Sequence, residues 1–506
     1  MSRKYFKKIL VANRGEIAVR VINACRLLEI PTLAVYSTAD IDSVHARLAD
    51  EAVEIGPPLP RESYLNIERI IEVAIANGCD AIHPGYGFLA ENPLFPEACE
   101  KAGIIFIGPP SEAMKLLGNK IQSRIRIATA GVPIIPGMKS AGADLMTFEK
   151  AAETAGYPVL IKAAAGGGGK GMRVVHRKED LKSSIEAAMR EAKNAFDDDT
   201  VYLEKYIENP RHIEFQILAD NHGNAIHLFE RECSVQRRHQ KIIEETPSTA
   251  LTPALRAQMG SAAVRVATVA GYRNAGTVEF LVDKNGSFYF LEMNTRIQVE
   301  HPVTEMTTGA DLVIEQIRIA AGERISEYLT KISQRGHAIE CRIYAEDAEN
   351  NFLPSSGEIL YYEEPAGPGI RVDSGIAKGS VVGVEYDPIL AKLIALAPTR
   401  ELAITKMINA LKDYKILGIK TSRKFLIDAL NHPEFRAGRT YTNFIEKNMS
   451  DRVVDIEPAL ELAAAVASVA VLKGSKMSAS PGREKKISPW QSIGPWEIGQ
   501  FGAGRG

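Results

Sequence analysis

Residues 276–302 read GTVEFLVDKNGSFYFLEMNTRIQVEHP. Asn285-Gly286 stands between two runs rich in β-branched and aromatic residues, the strongest short-range signal for a two-residue hairpin. Counting outward from that turn puts Glu279 directly opposite Glu292. Like charges facing each other across strands are destabilising. A hard divalent cation such as Mg²⁺, held by carboxylates and substrate phosphates, removes the conflict. Further along, Glu292, Asn294, Arg296, Gln298 and Glu300 alternate with Leu291, Met293, Thr295, Ile297 and Val299. Every second side chain of an extended segment shares a face. One face is therefore expected to carry two carboxylates, two amides and a guanidinium, a site for a metal and a small anion. The competing reading is a half-buried strand with a solvated polar face. The two facing glutamates favour the metal, because solvated faces usually mix Lys, Ser and Thr without pattern.

The chain around this stretch has 506 residues, enough for about two to four domains. Hydrophobic residues make up 45% and charged residues 25%, the balance of a globular protein with a large core. A formal net charge of -2 gives no basic excess for a nucleic-acid partner and no acidic tail. Cys25, Cys79, Cys99, Cys233 and Cys341 are scattered without a Cys-x-x-Cys pair, so neither a zinc ribbon nor a disulfide scaffold is indicated. Each is expected to act as a small buried hydrophobe. The N-terminus lacks a long apolar signal core, and no apolar run approaches the ~18 residues of a membrane span. A cytoplasmic protein without a membrane partner is the expectation.

Strand and helix alternate over the first hundred residues. Strands are expected at 7–13, 32–36, 53–55, 81–83 and 104–107, with helices at 16–28 and 67–76. This spacing predicts a doubly wound parallel sheet. Ligands on such sheets sit beyond the strand C-termini, where Asn13-Arg14-Gly15-Glu16 and His83-Pro84-Gly85-Tyr86-Gly87-Phe88 fall. A connecting helix is expected over 115–130 and a linker over 131–137. Residues 157–206 read as a small α+β module: strands at 158–162, 172–176 and 201–205 and a helix at 179–195. Several antiparallel strands and helices are expected in 211–334, and a further α+β block, with strands at 338–344, 370–373 and 392–397, up to about 445. Residues 458–472 are Ala-rich and helical in pattern, and 474–486 read as a flexible linker.

Several short segments carry chemistry. Lys162 leads into Gly166, Gly167, Gly168 and Gly169, then Lys170, between two strand-like runs. Glycines let backbone N–H groups approach an anion and lysine adds a point charge. The pattern matches neither a P-loop nor a dinucleotide fingerprint, which leaves a glycine flap over phosphates, against the plain alternative of a flexible hairpin. Lys120, after Gly118-Asn119, is another phosphate candidate, though an exposed helical lysine is the ordinary reading. Glu204-Lys205-Tyr206-Ile207 follows a strand whose free backbone edge suits an adenine. The stretch 231–241 (RECSVQRRHQK) gathers cations and amides that suit an anion, or a solvated loop. Arg342 sits mid-strand, where an arginine either pairs with a carboxylate or faces a ligand.

In their order along 4–447, these motifs resemble biotin carboxylase, a member of the ATP-grasp superfamily. They are Ala12–Ala18 (ANRGEIA), His83–Leu89 (HPGYGFL), the 166–172 glycine segment, Glu204-Lys205-Tyr206, Gln236–Lys241 (QRRHQK), Glu292–Pro302 and Glu340-Cys341-Arg342. The resemblance implies a multidomain α/β and α+β chain. Its parts are an N-terminal doubly wound (PreATP-grasp) domain at 1–115, an ATP-grasp domain at 116–334 with a glycine-rich lid at about 132–205, and a C-terminal α+β domain at 335–447. Residues 448–506 hold the Ala-rich helix, linker and possible start of a linking domain. The implied reaction converts ATP, bicarbonate and biotin on a carrier protein into ADP, phosphate and N1-carboxybiotin.

Carried over residue by residue, the resemblance implies Glu279, Glu292 and Asn294 as ligands of Mg²⁺ (or Mn²⁺). Lys120, Lys162 and Gly166–Gly169 are implied at the ATP phosphates. Glu204, Lys205 and Ile207 are implied at the adenine, and His212, Gln236 and His239 near ribose and phosphates. Lys241, Arg296, Gln298 and the Val299 amide are implied for bicarbonate. Glu300 is implied as general base, Arg342 as the group stabilising the biotin enolate, and Tyr86 as a neighbour of the biotin ring. Ala164 and Ala165 stand where many relatives carry Ser and Gly, which should stiffen the lid hinge slightly. Family membership also implies a homodimer, and as its partners a biotin carboxyl carrier protein and a carboxyltransferase subunit.

Two other readings compete. Another bicarbonate-activating ATP-grasp ligase would share the nucleotide machinery, but Arg296–His301 (RIQVEH) with Arg342 argues for biotin. A non-catalytic carboxylase scaffold conflicts with the full set of catalytic residue types. The chain carries no Ala-Met-Lys-Met biotin acceptor, so biotin is expected on a separate protein or beyond a truncation. Ser488-Pro489-Trp490 and Gly494-Pro495-Trp496 look like the opening of the linking domain of acyl-CoA carboxylase α-subunits.

Overall fold

The computed structural model describes residues 5–138, 144–164 and 172–450. Ala165, the glycines 166–169, Lys170 and the whole segment from 451 onward, with its Ala-rich stretch, linker and tryptophans, lie outside the described residues.

Five short parallel strands open the chain: β1 Ile9–Val11, β2 Thr32–Ser37, β3 Glu51–Gly56, β4 Ala81–His83 and β5 Ile105–Phe106. They lie in the order β3-β2-β1-β4-β5, the doubly wound arrangement expected. β1 and β4 are buried along their whole length, as strands covered on both faces must be. The order reverses between β1 and β4, so the segments following these strands share one crevice. Asn13 ties them together, its Nδ2 donating to the carbonyls of Pro84 and Tyr86, each at 2.7 Å. Gly85 has φ +62°, and a Cβ there would meet Asn13 Nδ2 at 2.9 Å, so only glycine lets the two loops close.

The helix expected over 115–130 is two helices, Ser111–Gly118 and Lys120–Thr129. Gly118 weakens the helical run, and the Asn119 side chain accepts from the Gln122 N–H as an N-cap. A three-stranded antiparallel sheet follows: β6 Val159–Ala163, β7 Arg173–Val175 and β8 Val201–Lys205, in the order β7-β6-β8. Helix Leu181–Phe196 and the unanticipated helix Leu145–Ala155 lie with it around one core, where Val159, Ile161 and Leu203 meet Phe148 and Ile185.

The largest element is an eight-stranded antiparallel sheet. Its strands are β9 Arg211–Ala219, β10 Ala225–Arg237, β11 Gln240–Thr246, β12 Asn274–Val282, β13 Phe288–Asn294, β14 His337–Tyr344, β15 Ile370–Ser374 and β16 Ile389–Ala397. They run β13-β12-β9-β10-β11-β14-β16-β15, so β11 pairs with β14 and the sheet passes without interruption across residues 334–335. Arg238 and His239, both at positive φ, form the two-residue turn between β10 and β11, so 231–241 is a hairpin rather than a loop.

The hairpin at 285–286 reaches its expected result by a different route. Glu279 does pair with Glu292. The turn, however, is a three-residue loop, Lys284-Asn285-Gly286, with Gly286 at φ +83° and its N–H donating to the Asp283 carbonyl. Asp283 Oδ1 also accepts from the backbone of Asn285 and Ser287. This shifts the register by one, and a β-bulge between Glu279 and Phe280 shifts it back. The alternation expected through Glu300 ends early as well, since β13 stops at Asn294 and an irregular segment leads into helix His301–Thr308.

Candidate active site

The polar face of the large sheet carries the site. Register sets Glu292, Glu279, Glu214 and Arg231 side by side across β13, β12, β9 and β10. Three carboxylates in a row cannot persist without cations. Arg231 is fully buried and bonds Glu214 Oε1 through Nε at 2.5 Å, with Gln216, Thr304 and Thr277 taking three of its other four donors. Lys241, reaching over from β11, donates to Glu214 Oε2 at 2.5 Å, Glu279 Oε1 at 2.8 Å and Glu300 Oε1 at 2.7 Å. All three donors of its ammonium are thereby used, and burial is outweighed by the three acids, which raise its pKa well above the ordinary lysine value.

Glu300 is the second hub. Its Oε2 accepts from Arg342 Nη2 at 3.0 Å, and Arg342 Nε donates to Glu244 Oε1 at 2.6 Å. Burial alone would raise the Glu300 carboxyl. Lys241, Arg342 and Arg231 outweigh it and hold the group well below the carboxylate range, ionised at neutral pH. Burial likewise opposes, and Lys241 and His212 overcome, the ionisation of Glu279.

The expected metal ligands fall into two kinds. Glu292 is exposed to the cleft and forms no hydrogen bond or ion pair among the described residues. Its pKa is raised, by desolvation first and then by the Glu279 charge, with Lys120 and Lys162 opposing. As its side chain is open to solvent, the Glu279 charge is the weightier physical cause. Glu279 Oε1 is filled by Lys241, Asn294 at 2.7 Å and Gln298 at 3.0 Å. Among the described residues its Oε2 meets only His212 Nε2, at 2.7 Å, which leaves acceptor capacity there. A partnerless carboxylate facing a second one with a spare lone pair, with the Asn294 amide alongside, fits a hard oxygen-liking cation. His212, Glu214 and Glu279 also present ligand atoms within 4.8 Å of one another, but Glu214 is wholly engaged by Arg231 and Lys241.

Arg296 stands beside this group, bonded to Glu91 at 3.0 Å, Gln298 Oε1 at 2.9 Å and Asn294 Oδ1 at 3.1 Å. The Val299 N–H has no protein partner among the described residues, while its carbonyl accepts from Lys392 Nζ at 3.0 Å. Lys392 also pairs with Glu16 at 3.1 Å, and Glu16 accepts from the Tyr86 hydroxyl. Tyr86 is thus anchored, through Glu16 and Lys392, to the irregular segment that carries the free Val299 amide.

Toward the three-stranded sheet, Lys162 Nζ lies 3.2 Å from Glu204 Oε2, and Glu204 also pairs with Arg124. Lys120, at the start of its helix, forms no side-chain hydrogen bond or ion pair among the described residues. Its pKa is lowered by burial and then by the Lys162 charge. Two lysines that repel each other at a helix N-terminus make a receptor for an anion. The Glu204 side chain is committed to this cluster, and the Lys205 ammonium to the carbonyls of Gly156 (2.7 Å) and Tyr157 (3.2 Å). The N–H of Ile207, just past β8, has no partner among the described residues. Gln236 contacts His212 Nδ1 at 2.6 Å, whereas His239 sits exposed at the β10–β11 turn, apart from the cluster. Gly166–Gly169 lie outside the described residues.

Sequence reasoning missed Glu214, Glu244 and Lys392 as site groups, and placed Arg231 only within the cation-rich stretch 231–241. The alternation of His212, Glu214 and Gln216 along β9 was the available signal for Glu214.

Family models match nearly the whole described chain: the biotin carboxylase N-terminal domain at 5–114, the ATP-binding domain of the carbamoyl-phosphate synthase L chain at 119–328, and the biotin carboxylase C-terminal domain at 340–447. A pyruvate carboxylase subunit from Methanothermobacter thermautotrophicus is 54% identical over 442 residues, covering 87% of this chain and 90% of that protein. The mitochondrial methylcrotonoyl-CoA carboxylase α-subunit of Oryza sativa subsp. japonica is 47% identical over 505 residues, 98% of this chain and 68% of that one. Among solved structures, the biotin carboxylase domain dimer of Hydrogenobacter thermophilus 2-oxoglutarate carboxylase, in complex with MgADP, ADP and bicarbonate, superposes with a TM-score of 0.84 at 49% identity, covering 88% of this chain and 98% of that one.

Proposed function

The chain belongs to the biotin carboxylase family, and from that membership we propose how its own residues divide the reaction. The enzyme is an ATP-dependent ligase that uses bicarbonate to carboxylate biotin, one half-reaction of pyruvate or acyl-CoA carboxylases. Bicarbonate is a poor electrophile, and attack on the γ-phosphate makes it carboxyphosphate, a source of CO₂ in a closed site. A ureido nitrogen is very weakly acidic, so its attack needs a base and a cation beside the developing enolate.

One observation carries the assignment: Glu300 is gripped between Lys241 on one side and Arg342 on the other. Lys241, Arg296, Gln298 and the free Val299 N–H form the bicarbonate pocket. Glu300 is the general base. A carboxylate held so far below its usual range is a weak base while both cations bear on it. Bicarbonate drawing on Lys241 and Arg296 relaxes that grip and raises the basicity of Glu300 when substrate is present. Arg342 faces the biotin enolate, with Tyr86 near the ring. Lys120 and Lys162, with Gly166–Gly169, take the ATP phosphates. Glu204, Lys205 and Ile207 border the adenine through their backbone. His212, Gln236 and His239 lie towards ribose and phosphates. Mg²⁺ (or Mn²⁺) held by Glu279, Glu292 and Asn294 supplies charge neutralisation for phosphoryl transfer.

ATP cleavage by the full chain should require bicarbonate and rise on addition of free biotin; another ATP-grasp ligase would show no biotin stimulation. Glu292→Gln should raise the Mg²⁺ concentration for half-maximal ATP cleavage by about tenfold or more, with the melting temperature little changed because no protein partner is lost. An unaltered Mg²⁺ titration removes Glu292 from the ligand set.

The match to the methylcrotonoyl-CoA carboxylase relative extends over 98% of the chain and that to the pyruvate carboxylase relative over 87%. The extended match to that α-subunit, with Ser488-Pro489-Trp490 and Gly494-Pro495-Trp496, supports the reading of an acyl-CoA carboxylase α-subunit. The working partition is 1–115, 116–334, 335–447 and 448–506. The assembly that goes with it is a homodimer joined by a biotin carboxyl carrier and a carboxyltransferase subunit.

A further inference from the structure

Across the β11–β14 pair, Glu244 faces Glu340, and both are fully buried. Facing residues of an antiparallel pair keep their Cβ atoms about 5 Å apart. Two bare carboxylates at that spacing, away from water, repel strongly. Arg342 satisfies Glu244 Oε1. Glu244 Oε2 and both oxygens of Glu340 have no hydrogen-bond partner among the described residues. Buried polar atoms are rarely left so. A proton on one acid makes it a donor to the other, which gives two of the three orphaned oxygens a partner and removes the charge repulsion.

The surrounding groups locate that proton. Arg342, on the same strand, is committed to Glu244 and Glu300. Lys392 on β16 serves Glu16, Asp373 of β15 and the Val299 carbonyl. Lys241 on β11 serves Glu214, Glu279 and Glu300. Helix His301–Thr308 packs across β14. On it, burial first and then Lys392, Arg20 and Arg371 keep His301 neutral, and Glu305 is paired with Arg20 and Arg371. Every cation near Glu340 is therefore bonded to another group. Burial pushes the Glu340 carboxyl well above its usual value; Lys392 and Arg342 pull it down, and the Glu244 and Glu300 charges raise it further. Glu244, also raised first by burial, reaches about 7.

We infer that Glu340 is a positioning residue that stays protonated at neutral pH and shares its proton with Glu244, leaving one negative charge behind Arg342. With two, the guanidinium would be drawn back and its field at the substrate quenched; with one, Arg342 is held firmly yet keeps charge to offer. This rests on the assignment of Arg342 to the biotin enolate.

The test is Glu340→Gln, whose amide reproduces the shape, donor and zero charge of a protonated acid. Infrared spectra of the full chain at pH 7 should show the carbonyl stretch of a buried protonated carboxyl in the wild type and its loss in the variant. kcat for biotin-stimulated ATP cleavage should stay within about tenfold of wild type. An acid whose folded pKa is raised contributes stability below its unfolded pKa and loses it as pH rises towards the folded one. Between pH 5 and 9 the wild type should therefore lose melting temperature relative to the variant. No such band in the wild type, or a folded variant slowed more than about tenfold, overturns the inference. If Glu340→Gln does not fold, Glu244→Gln carries the test: the Glu340 band must persist with a shifted frequency, and its absence is equally fatal. Near-normal turnover in Arg342→Ala would instead remove the enolate assignment and leave the band untouched.

Discussion

Glu300→Gln is expected to cut carboxylation of biotin by about 10²–10⁴-fold, the range supplied by a positioned general base, while Mg-ATP binding stays close to wild type. The variant is close in shape to the native residue, and its amide can still accept from Lys241 or Arg342. What disappears is the negative charge that both cations hold and the ability to take a proton from the ureido nitrogen. The nucleotide groups Lys120, Lys162 and Glu204 make no contact with Glu300, so titration calorimetry with Mg-ATP should give a similar dissociation constant. Arg342→Ala should behave alike on the biotin side, since it removes the cation beside the enolate. Transfer of labelled bicarbonate to free biotin is the measurement, and turnover within a few-fold of wild type in both variants would withdraw both roles.

Lys241→Met is expected to damage stability as well as activity. One ammonium neutralises Glu214, Glu279 and Glu300. Removing one partner of a buried ion pair typically costs about 3–5 kcal/mol, and here Arg231, His212 and Arg342 remain to soften the loss. The pH dependence should reverse sign. In the wild type, Glu279 and Glu300 have depressed pKa values, so they contribute stability above the unfolded carboxylate pKa that is lost as pH falls through the folded values. Without Lys241 these acids are pushed upward, and the variant should gain stability relative to wild type as pH drops from neutral towards about 5. Chemical denaturation at several pH values reads this directly. A stability gap independent of pH would mean that Lys241 acts by packing rather than by charge.

The doubly wound parallel character of the N-terminal layer and the facing of Glu279 and Glu292 were legible, the first from the alternation of strands and helices and the second from turn chemistry. The second was reached through two compensating errors: the loop is one residue longer than Asn285-Gly286 suggests, and a bulge restores the count. Bulges leave no clear mark in a single sequence. Glu214 and Glu244 stayed hidden for another reason. Their importance comes from register with Glu279 and Glu340, across strands whose pairing a single sequence does not reveal. β14 misleads in the same way. Its alternation, His337-Ala-Ile-Glu340-Cys-Arg342-Ile, suggests one wet face, yet every residue is buried, because helix His301–Thr308 seals the polar side. Lys205 and Glu204 were placed correctly on a strand but assigned without knowledge that their side chains hold the scaffold.

The β11–β14 seam bears on how far relatives of this chain can exchange parts. Family models stop at 328 and resume at 340, which invites chimaeras joined there. The molecule has no break at that place. Separating the halves would leave β11 and β14 as raw edges and turn an internal acid pair out to solvent, so a grafted C-terminal half must bring a matching acid opposite Glu244, and its register, along with its sequence.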